Sequence, residues 1–297
     1  MELASSCPDI HIKALCRPQS KIGKKYPNVE FDFLDLTNKQ LLRERTLAYK
    51  PTCVLHCAAT GMTFPKAEWF ELIRFNVNFS IELCECAAQV TGCHFIFIGT
   101  GLAYKEQGRP LREDDALDTL HPYGASKAAA DLLVRSAAAE FKVPTTIIRP
   151  FSFTGIGDDR TRLFASILRA ASEKRHMDLS ECTQIRDHCS AQDLAKGLIA
   201  CIRKGPTRKG FDVFNLGSGQ TIRLRTLIEE IVAELNLPVE LRFGVKHLHR
   251  FEPMHLVADI SHAKEVLGWT PQQRLVHAIW QLAGESFPEL NLREPKQ

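Results

Sequence analysis

Short apolar runs rich in β-branched and aromatic residues alternate with stretches of helical periodicity through the first two thirds of the chain. Residues 10–16, 29–33, 53–57, 93–98 and 145–149 read as strands, and residues 212–215 as a later one. Between them the apolar period predicts helices over 39–49, 66–90, 123–141 and 191–203, and residues 2–9 read as the tail of an earlier helix. Strand and helix in alternation build a parallel sheet, because each crossover lays a helix on one of its faces. The predicted class is therefore α/β, with a doubly wound parallel sheet. Beyond residue 155, helices predicted over 162–172, 224–235, 261–267 and 275–283 come with only short strand candidates, which suits a smaller α+β cap. The expected division is a sheet domain over 1–155, to which 184–217 returns, and a cap over 156–297.

Composition narrows the class without naming a function. The 297 residues carry 38 Lys and Arg against 35 Asp and Glu, a net charge of +3. A phosphate-tracking surface needs a stronger basic excess, so nucleic acid is not an expected partner. A hydrophobic content of 44% with ordinary Gly and Pro excludes a disordered or collagenous chain. The ten cysteines sit in apolar contexts such as Cys53-Val-Leu-His-Cys57 and include no C-x-x-C pair, which predicts reduced core thiols and no metal centre. No run approaches the roughly 20 apolar residues of a membrane span, and the first residues lack the pattern of a signal peptide. The expected location is the cytoplasm, away from membranes.

The stretch with the most chemical content is His121-Pro-Tyr123-Gly-Ala-Ser-Lys127, at the head of an alanine-rich helix. Tyr at i and Lys at i+4 share one helix face, so the ammonium is expected near the phenol, where it favours the phenolate. A phenol of ordinary pKa about 10 needs such a shift to exchange protons near neutrality. The spacing also recurs by chance in helices, so a second feature has to accompany it. That feature is Thr100, where the apolar strand His94-Phe-Ile-Phe-Ile98 runs into Gly99-Thr100-Gly101-Leu102-Ala103-Tyr104. A hydroxyl there stands at a strand's carboxyl end, the edge at which open α/β sheets bind ligands. Thr100 is predicted to donate to the substrate oxygen that Tyr123 protonates; a simple turn threonine is the competing reading.

Together these residues resemble the extended short-chain dehydrogenase/reductase family of NAD(P)-dependent nucleotide-sugar epimerases, dehydratases and reductases, and the resemblance covers nearly the whole chain. Val54-Leu-His56-Cys-Ala58-Ala59 is similar to the family's H-x-A-A segment, Asn76-Val77 to its N-V segment, and Asp35-Leu36 to its acidic turn near the adenine. Arg149-Pro150-Phe151-Ser152 resembles the R-P-F-N turn, with Ser152 where Asn is usual, and Gln184-Ile-Arg186-Asp187 resembles the R-D element. Phe214-Asn215-Leu216-Gly217-Ser218-Gly219 and Leu267-Gly268-Trp269-Thr270-Pro271 match two further signatures.

The resemblance implies a Rossmann-like domain with a substrate cap, and hydride transfer between nicotinamide and a sugar carbon. It makes Tyr123 the proton donor or acceptor, Lys127 the holder of the cofactor ribose and Thr100 the group that polarises the carbonyl. Cofactor contacts are implied at Asp35, Leu36, Ala58, Ala59 and Pro150. Substrate contacts are implied at Ser152 and, through the diphosphate, at Arg186 and Arg250, since a guanidinium matches phosphate geometry bidentately. Arg250, in the charged run His247-Leu-His249-Arg250, reads equally well as a solvated surface residue. A homodimer is implied, packing the helix from Tyr123 through Ala125, Ala128, Ala129, Ala130, Ala137, Ala138 and Ala139 together with the helix around residues 72–88.

Within the resemblance, hexose dehydratases carry an Asp-Glu pair directly after the Thr, where this chain has Gly101 and Leu102, which can do no proton chemistry. Combined epimerase-reductases resembling GDP-fucose synthase place a Cys at the position of Leu102. What remains is reversible redox chemistry at one carbon. The run from Met177 to Asp187 resembles reductases that finish 6-deoxyhexoses, so 4-keto reduction is expected first and 4-epimerisation second; a catalytically silent binding protein is the third reading. Arg17, at the end of the strand over 10–16 with Lys21 nearby, suits a 2′-phosphate and so NADP(H), with NAD the alternative; an ordinary loop arginine would look the same. The family opens with a strand and a G-x-x-G-x-x-G loop that bring backbone N–H groups to the pyrophosphate, and these 297 residues contain neither. The expectation is a chain lacking the family's first strand, with a gap of about 9.6 Å between the strands at Ile10 and Cys53, weak NADP(H) binding and low stability.

Overall fold

The computed structural model describes residues 7–20, 22–23, 25–61, 68–207, 210–248 and 250–296. Residues 2–6 of the expected first helix tail, Lys21, residues 66–67 of the expected long helix and His249 lie outside these.

The sheet strands read from the sequence form, and they form as two sheets. β1 (Ile12–Cys16) pairs in parallel with β2 (Val29–Phe33), Ile12 opposite Val29. β3 (Cys53–His56), β4 (His94–Ile98) and β5 (Thr145–Pro150) pair in parallel. The strand Phe211–Leu216 lies beside β5 as the other edge of this four-stranded sheet. Its bonds, Thr145 N to Gly210 O and Phe151 N to Leu216 O, ascend together along both strands and so make that pairing parallel as well. Among the described residues no strand joins β1 to β3, the place where the resemblance implies the family's first strand.

The helix Lys39–Tyr49 starts where Asn38 accepts a 3.0 Å bond from Leu41 N, satisfying one of the orphan donors of the first turn, and stops at Lys50 in the left-handed region. The expected helix over 66–90 appears in three pieces: Trp69–Leu72, a π-helical turn Ile73–Asn78, and Phe79–Ala88. The helix Pro122–Phe141 runs unbroken for 20 residues. No helix among the described residues is long and apolar enough to cross a membrane.

The chain forms two compact units that interleave in sequence. The first comprises Met1–Gly99, Ser126–Ile148 and Leu198–Val213; the second comprises Thr100–Ala125, Arg149–Gly197 and Phe214–Gln297. The core of the first packs Leu83, Phe95, Phe97, Val134 and Ile147. Phe95, Phe97, Val134 and Ile147 have no exposed surface, as a sheet covered on both faces requires. The core of the second packs the apolar stripes of the helices Leu163–Ser172, Leu224–Glu234 and Leu275–Ser286, among them Ile167, Leu168, Ile228, Ile279 and Leu282. Ala130 and Ala138, expected on a dimer face, belong to the first unit's core instead.

Candidate active site

In the second unit, two short segments are pressed together by the shape of their backbones. Thr100, 5% exposed, starts a 3-10 turn over Gly101–Ala103 and its hydroxyl oxygen accepts a 3.2 Å bond from Leu102 N. The turn role and the ligand role are compatible, because the accepting oxygen still carries a proton to donate. A Cβ on Gly101 would meet the Phe151 ring at 3.1 Å, and a Cβ on Gly124 would stand 2.3 Å from Leu102 O. Only glycine allows the start of the helix Pro122–Phe141 to approach the Thr100 turn this closely. Tyr123, adjacent to Gly124 and 8% exposed, is thereby fixed beside that turn. The first helical turn is held by His121, whose carbonyl accepts from Ala125 N at 2.8 Å and whose Nδ1 accepts from Gly124 N at 3.3 Å.

Beneath this turn three sequence motifs interlock. Arg149 donates from Nη1 to Tyr104 Oη at 2.7 Å and to Glu113 O at 2.9 Å, and Tyr104 donates to Asn215 Oδ1 at 2.7 Å. All three side chains are buried, and burial pushes the Tyr104 phenol upward. Asp187, fully buried, accepts from the backbone N–H groups of Ser218, Gly219 and Ala258, and a Cβ on Gly217 would collide with its carboxylate. The turn after Phe211–Leu216 is thus clasped by the residue following Arg186.

Burial raises the Tyr123 phenol to about 12, and the Arg162 guanidinium pulls it back. The lowering expected from Lys127 is therefore not the dominant effect; desolvation of the phenol outweighs the charges near it. Arg162 itself is held by Asp158 at 3.1 Å and by Phe153 O at 3.2 Å. No motif marked it in the sequence, where it only heads the helix predicted over 162–172.

In the first unit, Lys127 follows Tyr123 by one turn of the same helix and is 1% exposed. Its ammonium sits 4.1 Å from the centroid of the Phe97 ring, and no described residue accepts a hydrogen bond from it. Burial lowers Lys127 from 10.5 to about 7, with Cys57 and Asp131 drawing it back up. The neighbouring Ser126 hydroxyl accepts a 2.8 Å bond from Asn76, whose side chain also bonds the backbone of Thr60 in both directions, at 2.8 and 2.9 Å. His56 shares a 2.8 Å bond with Ser80, and burial holds its imidazole neutral, lowered to about 3.

The other expected contacts divide by unit. Arg17 is exposed just past β1. Asp35 accepts from Thr37 N and Oγ1 at 2.9 and 2.8 Å, so its carboxylate caps its own turn and is held below the usual range. Leu36 and Ala58 pack on the first unit's core, and Ala59 is exposed. In the second unit, Pro150 ends β5, and Ser152 opposes His188 in a short parallel pair. Arg250 is exposed over the ring of Phe251, 4.9 Å away. Arg186 is not left open for a phosphate as expected: its guanidinium is bonded to Glu252, to Pro253 O at 2.6 Å and to Ile185 O at 2.8 Å.

The model of the NAD dependent epimerase/dehydratase family matches residues 9–217. The chain belongs to that family. Within it, the chain is 28% identical over 253 residues to the UDP-glucuronate 4-epimerase of Thermodesulfobacterium geofontis, covering 84% of this chain and 76% of that one. It is 26% identical over 261 residues to the dTDP-4-dehydro-6-deoxyglucose reductase of Escherichia coli, covering 82% and 77%. The fold of this epimerase/dehydratase family member matches MoeE5 in complex with UDP-glucuronic acid and NAD at a TM-score of 0.85 and 21% identity, over 97% and 94% of the chains. It also matches the UDP-glucose 4-epimerase of Brucella ovis in complex with NAD at 0.84 and 20%, over 98% and 94%. The α/β class and Rossmann-type sheet read from the sequence are those of its structural neighbours.

Proposed function

We propose that this protein is an NAD(P)-dependent enzyme that oxidises and re-reduces C4 of the sugar in a nucleoside diphosphate sugar, with 4-epimerisation as its net reaction. The observation that carries the reading is the contact of Gly124 with Leu102 O, which brings the Tyr123 turn against Thr100. The relatives named as 4-epimerases, acting on uridine-linked sugars, support the choice of carbon and nucleotide. A fully buried ammonium with no acceptor among the described residues fits the nicotinamide ribose, whose hydroxyls would receive Lys127.

A bound nicotinamide would supply the hydride acceptor and donor. Tyr123 would take the proton of the C4 hydroxyl in the oxidation and return it to the same oxygen in the reduction. Thr100 donates to the same oxygen and steadies the keto form. Lys127, about half protonated at pH 7 when buried alone, gains charge once oxygen acceptors surround it. Ser152 stands in the second unit, where the sugar or its ribose would reach.

A second reading, net reduction of a 4-keto sugar, is favoured by Arg17, because a basic side chain at that strand end suits the 2′-phosphate of a cofactor that is consumed and replaced. The two separate on one assay: nuclear magnetic resonance of UDP-glucose or UDP-glucuronic acid shows the C4 epimer without loss of NADPH in the first case, whereas a 4-keto sugar consumes NADPH stoichiometrically in the second. In the second case Arg17→Asp shifts preference toward NADH.

The protein is further proposed to dimerise through the first unit. Trp69, Phe70 and Ile73, on and next to one short helix, and Leu132 and Leu133 on the helix Pro122–Phe141 are exposed large apolar side chains, Phe70 at 86%.

A further inference from the structure

Of the ten cysteines, Cys57 is the exposed one; Cys7, Cys16 and Cys53 are half-buried and the other six are buried. It directly follows His56, the last residue of β3, and so stands at the carboxyl end of a parallel strand. That is the edge at which open α/β sheets bind ligands.

A second group marks the same place. Lys127 is 1% exposed, and its ammonium lies over the Phe97 ring with no acceptor among the described residues. Phe97 stands opposite His56 in the register of β3 and β4, so the ring under the ammonium neighbours the residue that precedes Cys57. Of the charges that draw Lys127 back up, Cys57 acts more strongly than Asp131, and Lys127 in turn draws the Cys57 thiol down against the desolvation that raises it. A buried ammonium without a partner favours an anion beside it, and the Cys57 thiol can become one. Burial pushes Cys53, Cys84 and Cys201 to about 12, where almost no thiolate forms near neutrality.

We propose that Cys57 is a covalent modification site for small disulfides, and that a mixed disulfide there keeps the nicotinamide cofactor out. The inference rests on the NAD reading of Lys127 above. In the step, the thiol gives its proton to solvent and its sulfur attacks one sulfur of the reagent. The reagent's S–S bond breaks as the new S–S bond forms at Cys57, and the released thiolate takes up a proton. Cys57 is oxidised and the released half is reduced, so no further oxidant is needed. The added group fills the space next to Lys127, where the cofactor ribose would lie.

The test treats the 297-residue protein with glutathione disulfide at pH 7 and follows each cysteine by peptide mass spectrometry, beside Cys57→Ser and Lys127→Met. Calorimetry measures NAD affinity before and after treatment. The expected result is that Cys57 is loaded first, that NAD then binds at least tenfold more weakly, and that treatment leaves the NAD affinity of C57S unchanged. Cys57 of K127M is expected to load at least threefold more slowly, because its thiolate has lost the neighbouring charge. Another cysteine loading first, or Cys57 loading as fast in K127M, overturns the inference. Cys57 loaded with NAD affinity unchanged also overturns it, while the NAD reading stands. If the untreated protein binds no NAD, both fail.

Discussion

The side-chain amide of Asn76 donates a 2.8 Å hydrogen bond to the hydroxyl of Ser126, one residue ahead of Lys127. Asn76 sits in the π-helical turn Ile73–Asn78 and is fully buried. Its amide joins that turn to the segment after β3 and to the helix that carries Lys127. Asn76→Ala removes the hydrogen bonds that its side chain makes to the Thr60 N–H and C=O and to the Ser126 hydroxyl, at a cost of about 1 kcal/mol for each bond lost. Urea denaturation is expected to show a loss of about 2 kcal/mol or more. Asn76→Asp, which keeps only the acceptor, should recover part of it.

Lys127 makes stability depend on pH. Below about pH 7 its ammonium is protonated both folded and unfolded, so the full cost of burying the charge is present. Between about 7 and 10.5 the unfolded chain holds the proton and the folded chain does not, so this term favours folding increasingly as pH rises. Lys127→Met removes the cost, and its stability margin over the unaltered protein is therefore largest at pH 6 and shrinks toward pH 10, by on the order of a few kcal/mol. Denaturation midpoints of both proteins at the two pH values check this; a margin that does not change with pH contradicts it.

Gly124→Ala places a methyl carbon 2.3 Å from Leu102 O, so either the helix start or the Thr100 turn must move. A displacement of about 1 Å between acid and substrate costs about 100-fold in turnover. The expected variant is folded by circular dichroism, since the larger core cluster of the second unit lies among other helices, but at least 100-fold slower in kcat.

Phe70→Asp puts a charge at the most exposed of the apolar side chains proposed to form the dimer contact. Light scattering at micromolar concentration is expected to give a dimeric mass for the unaltered protein and a monomeric mass for the variant. A monomer in both cases rules this surface out as a dimer interface.

The sequence made the sheet legible because each strand is a short apolar run and each crossover an amphipathic helix; β2 and the helix Lys39–Tyr49 begin and end where the pattern says. The π turn at Ile73–Asn78 was not legible, since one extra residue per turn leaves no mark on hydrophobic periodicity. The alanine stripe on the helix Pro122–Phe141 divides, because Ala130 and Ala138 serve the core while Ala129 and Ala139 are exposed together with Leu132 and Leu133. Thr100, Tyr123 and Lys127, the proposed catalytic residues, were singled out from local spacing and motif resemblance. The partner of Arg186 was not, because Glu252 lies 66 positions away and nothing local signals a pairing across that distance. Arg162 escaped for the same reason: its effect on Tyr123 arises from the fold alone.

The most direct test of the central claim is nuclear magnetic resonance of the anomeric protons of UDP-glucose and UDP-glucuronic acid incubated with the protein and NAD, beside Tyr123→Phe. The expected result is accumulation of the C4 epimer of one of them, slowed at least 100-fold by the variant while its affinity for UDP is unchanged, because the phenol acts on the proton and not on nucleotide binding. Epimerisation at an equal rate by Tyr123→Phe contradicts the account.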